Sequence, residues 1–136
     1  MARVALISCT SYDDADAAVT AALDLVGADA LFAPDEKILL KPNLLTKATA
    51  DGAVTTHPAV FAATAKYLRA HGCADLAYGD SPGRGSVETA AHACGIRRCG
   101  GGARHPRSGF LGRQNRSLSR RQDGKGIHPR KRCAVL

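Results

Sequence analysis

The chain has five cysteines, Cys9, Cys73, Cys94, Cys99 and Cys133, but no C-x-x-C pair among them. That excludes the ligand spacing of zinc and ferredoxin-type sites, so no metal site is expected. No apolar run approaches the roughly 18–20 residues of a membrane span, and no membrane partner is expected. The opening MARVALIS turns polar too soon for a signal peptide. An odd cysteine count without a secretion signal fits the reducing cytoplasm. Neither G-x-G-x-x-G nor G-x-x-x-x-G-K-[ST] occurs, and GDSPGRG (79–85) matches neither, which argues against dinucleotide and P-loop binding.

Charge is plentiful but unevenly placed. Residues 1–96 carry seven Lys/Arg against eleven Asp/Glu, a net −4; residues 97–136 carry twelve Lys/Arg against one acid, Asp123, a net +11. The total of +7 therefore speaks only for the final forty residues. Three readings fit that basic, irregular tail: native disorder, an arm for nucleic-acid phosphates, and out-of-frame translation. Phe110 is its sole aromatic, which leaves bases almost no stacking platform and makes nucleic acid the weakest reading. A shift of one nucleotide permits an acidic, helix-spaced reading of residues 97–111 that ends in a strand-like stretch. An interrupted β-α-β chain needs that next.

The length suits one domain. Residues 1–96 read as three strand–helix units. RVALIS (3–8) has the β-branched character of a buried strand. DDADAAVTAALDLVG (13–27) follows, with acids in its first turn, Val19, Leu23 and Val26 at helical spacing, and Gly27 as a stop. KILLK (37–41) is a second strand. THPAVFAATAKYLRAHG (56–72) is a helix with Pro58 at its first position and Gly72 past its end, and Val60, Ala63, Thr64, Tyr67 and Leu68 are expected to face the sheet. DLAYG (75–79) is a third strand, and SVETAAHAC a short helix capped by Ser86 and closed by Gly95. The expected fold is α/β: a Rossmann-like open sheet of parallel strands with right-handed β-α-β connections, truncated after the third unit. An open edge and an uncovered apolar face predict aggregation.

Three stretches carry a resemblance: KPNLL at 41–45, AVTTHP at 53–58 and GDSPG at 79–83. In this order and spacing they resemble the domain-of-unknown-function family 362, a prokaryotic family often associated with iron–sulfur modules. The likeness is expected to cover residues 1–96 and to stop at Gly95-Ile96. It implies a redox-associated protein of undefined activity. An iron–sulfur cluster is implied only for full-length relatives, since this chain carries no cluster-ligand motif.

In an open parallel sheet, ligands bind beyond the carboxyl ends of the strands, where all three stretches fall. Lys41 offers a point charge, and Asn43, Thr56 and Ser81 offer oriented hydrogen bonds, with Gly83 in the same loop as Ser81. The helix start after His57 favours an anion. His57 and Asp80 are the candidates for proton transfer. The expected partner is thus an anionic small molecule. Each residue also has a structural alternative: Thr56 and His57 as helix caps, Asn43 and Asp80 as turn holders, Lys41 as a solvated charge, Cys9 as a bystander.

Overall fold

The computed structural model describes residues 2–99 and Ala103, together with the backbone of Lys131–Val135. The readings offered for the rest of the tail lie outside the described residues.

Helices form where the sequence supplies both stripe and stops. α1 runs Ala15–Val26, preceded by a single 3-10 turn at Tyr12–Asp14, and ends at Gly27 with φ of 70°, a left-handed turn that glycine adopts without strain. α2 runs Pro58–Ala70 with proline at its first position. α3, Val87–Ala93, starts in a capping box in which Ser86 and Thr89 satisfy each other's backbone N–H. α4 is a short turn of helix at Ile96–Cys99.

Three parallel strands make the sheet: β1 Lys37–Lys41, β2 Leu76–Tyr78 and β3 Lys131–Val135, in the order β2-β1-β3. Ile38 registers with Leu76 and Leu40 with Tyr78 on one side, and Leu39 with Cys133 on the other. Alternation sets the faces. Ile38, Leu40, Leu76 and Tyr78 are buried under α2, while Leu39 and Ala77 on the opposite face are half-buried. Phe61 anchors the core, its ring edge-on to Tyr78 at 5.6 Å between centroids. Full burial of such a side chain contributes about 1.5–3 kcal/mol.

Two expectations need correction. The first concerns RVALIS: residues 3–8 form no strand. A strand needs a neighbour for its N–H and C=O groups, and β3 holds the edge of β1 opposite β2. The α/β class and the parallel sheet stand, but the first of the three strand–helix units has a helix without its strand. The second concerns α2, which is rotated from the expected face. Phe61, Ala65 and Leu68 join the sheet's core, whereas Val60 and Tyr67 turn toward α1. The Tyr67 hydroxyl donates to Asp24 at 2.9 Å; burial, followed by that carboxylate, pushes its pKa up to about 12. The sequence reading took the wider apolar stripe as one surface, but α2 has two neighbours and divides it between them.

Candidate functional site

The three stretches meet. Asn43, just past β1, is tied to the loop before α2 by three hydrogen bonds. Its N–H donates to Thr56 Oγ1 at 2.9 Å, its Nδ2 donates to the Val54 carbonyl at 3.0 Å, and its carbonyl accepts from the Thr56 N–H at 2.9 Å. The next residues are tied to the loop after β2. Leu44 N–H donates to Asp80 Oδ2 at 2.7 Å, and Gly83 N–H donates to the Leu45 carbonyl at 3.0 Å. KPNLL is thus the hub, with one neighbouring loop clamped on each side.

Asp80 is the electrostatic centre of the hub. Its side chain is only 6% exposed, and Lys41 Nζ, 38% exposed, lies 2.7 Å from Oδ1. Burial alone pushes the Asp80 carboxyl up. The Lys41 ammonium and the N–H groups of Leu44 and Ser81 more than reverse this and hold it below the ordinary aspartate value. Asp80 is therefore ionised at neutral pH and engaged through both oxygens. Ser81 is exposed, and its described contact is that backbone N–H. Gly83 has its amide spent on Leu45, and a side chain there would meet ordinary contacts, so the turn does not demand glycine.

His57 caps α2. Its Nδ1 accepts from the Ala59 N–H at 3.2 Å. A nitrogen that accepts cannot also carry the proton, so the neutral ring holds its proton on Nε2 and presents a donor there. The ring lies flat on Tyr12, with 3.5 Å between centroids and 9° between planes. Sequence reasoning missed Tyr12, because forty-five residues separate the two rings and no local pattern signals the stack. No described contact joins His57 to Asp80.

Among the described residues, Thr55 is the discordant one. It is 8% exposed, and its Oγ1 is buried with no hydrogen-bond partner among the described residues. Its neighbours Val54 and Thr56 are both stapled to Asn43. A buried hydroxyl without a partner costs about 1–3 kcal/mol, so this orphan calls for an explanation. The sequence reading chose Thr56, which proves to be a staple, over Thr55, which is not.

The described cysteines do not suit an iron–sulfur cluster. Cys73 and Cys94 are buried, each with its thiol directed at a main-chain carbonyl (Ala33 and Ala91), while Cys9 and Cys99 are exposed. Burial pushes the Cys73 thiol up, and Glu36 and Asp35 add to it, whereas a ligand thiolate needs the reverse. Among the described residues no three His, Cys, Asp or Glu side chains converge as a metal site. No helix of the described residues is long and apolar enough to cross a membrane.

A parallel α/β core with a loop-clamped polar rim at its strand exits is the class the geometry defines. Within it, the sequence profile of the family described as Domain of unknown function (DUF362) matches residues 38–127, and the chain belongs to that family. The matched span begins at β1, where the sequence reading began at residue 1. It also passes Ile96, where the sequence reading stopped. No curated protein and no solved structure matches the chain.

Proposed function

We propose that the rim formed by residues 41–45, 53–57 and 79–83 binds an anionic small molecule at the carboxyl edge of a Rossmann-like core, in a cytoplasmic protein related to redox-associated ones. The observation that carries this reading is the buried, partnerless hydroxyl of Thr55 beside the start of α2. A helix start supplies partial positive charge, and a hydroxyl with no internal acceptor gains most from an anion. His57 adds the Nε2–H donor, and Lys41 has ammonium hydrogens beyond the one given to Asp80. Ser81 lies exposed on the same rim. In this reading Asn43, Thr56 and Gly83 shape the loops, Asp80 holds Lys41 in place, and His57 is the residue able to pass a proton to a bound group.

The test uses inorganic phosphate as probe, titrated into the full-length chain by calorimetry. Saturable binding is expected, weakened by Lys41→Ala and lost in Thr55→Val. Thr55→Val should also raise the melting temperature, because a methyl replaces an orphan hydroxyl. Absence of saturable binding, or unchanged affinity in Thr55→Val, would overturn the proposal.

A further inference from the structure

The segment ahead of α1 has the form of a strand with nothing beside it. Val4 and Leu6 are 91% and 95% exposed, while Ala5 and Ile7 between and after them are half-buried. That alternation is the two-residue period of a strand. Ala5 and Ile7 line an open groove of about 800 Å³ whose other wall is Ala18, Val19 and Ala22 of α1 and Val60 of α2. The stripe of α1 is likewise unfinished, with Val19, Leu23 and Val26 all half-buried.

Connectivity says where such a strand belongs. α1 packs on α2, and α2 covers β1 and β2, so both helices lie on one side of the sheet. Parallel crossovers are right-handed. The chain steps from β1 through α2 to β2. A strand at 3–8 that crosses through α1 on the same side must step in the same direction. It therefore reaches β1 from the edge opposite β2, the edge that Lys131–Val135 holds. One edge pairs with one strand at a time.

We propose that residues 3–8 and Lys131–Val135 compete for the same edge of β1, giving the chain two alternative strand pairings. In the second pairing, residues 3–8 lie parallel to β1. Ala5 and Ile7 then fill the groove against α1, Val4 and Leu6 join Leu39 on the opposite face, and residues 131–135 are released. The exposed apolar side chains of the segment and the half-covered stripe of α1 then share one cause, a displaced strand.

The experiment compares full-length chains by backbone hydrogen exchange. Cys133→Pro with Ala134→Pro removes two successive N–H groups from β3, at least one of them a ladder donor. In that variant the alternate amides of residues 4–8 that face β1 should exchange more slowly by about tenfold or more, while β1 keeps its protection. Fast exchange at those amides, loss of protection in β1, or failure of the variant to fold would each overturn the competition. Leu6→Pro supplies the second arm. It should leave β1 protected in the native sequence and expose it in the double-proline background, and an equal effect in both backgrounds would also overturn the idea.

Discussion

Residues 38–96 and residues 2–31 are both rich in apolar side chains, yet they have packed very differently. Every member of the main buried cluster comes from the first region, with Phe61, Ile38, Leu40, Leu44, Leu76 and Ile96 at its centre. The second contributes only Ala15 and Ala28 to the buried set and leaves Val4, Leu6 and Leu25 in solvent. The difference does not lie in hydrophobicity. The first region contains a complete β-α-β unit, whose strands satisfy each other while its helix covers them. The second has a helix and a would-be strand, but the edge of β1 that such a strand needs is held by β3. Apolar content becomes core only where backbone pairing lets it.

The sharpest way to break this comparison is a pair of truncations. Phe61→Ala should cost about 3–5 kcal/mol in urea denaturation, since the side chain is fully buried and its loss leaves a cavity. Leu23→Ala, on the half-covered stripe of α1, should cost roughly 1 kcal/mol. Similar losses at both positions would mean that the two regions form one core after all.

The hub between the loops gives a middle-sized effect. Lys41→Ala leaves the buried Asp80 carboxylate without its cation and should cost about 2 kcal/mol. The same pair sets an acid limit. Because the folded Asp80 carboxyl sits below its ordinary value, the unfolded chain takes up a proton first as pH falls. Its stabilisation is complete above the ordinary aspartate pKa of 3.8 and is lost as pH drops below that toward the folded value. Asp80→Asn should flatten that acid limb in a plot of melting temperature against pH, and an unaltered limb would remove Asp80 as its source. The smallest effect belongs to the Lys66–Asp16 ion pair that links α2 to α1 at the surface. Lys66→Ala should change stability by less than about 0.5 kcal/mol, and a larger loss would show that α1 is held by charge more than by packing.

Local signals in the sequence were read well because local physics decides them. Pro58, Ser86, Gly27, Gly72 and Gly95 punctuate the helices as their conformational preferences require, the three glycines all having positive φ. KILLK is a strand because its run is short, apolar and bounded. The convergence of KPNLL, TTHP and GDSPG was also legible, since parallel topology brings successive strand exits to one end of a sheet. Competition was not legible. RVALIS is as strand-like as KILLK, and no local rule tells that KRCAV, ninety residues beyond β1, takes the neighbouring edge. The stack of Tyr12 on His57 and the orphaned hydroxyl of Thr55 escaped for the same reason. Each depends on which groups are already engaged by distant residues, and that is a property of the assembled loops.

The division of the described thiols, two in the interior and two at the surface, has a practical corollary. A maleimide should label Cys9 and Cys99 immediately, while Cys73 and Cys94 wait for the cluster around them to open. Peptide mapping of the label against time would then make the polypeptide its own stopwatch, timing how often the interior breathes with no cysteine engineered into it.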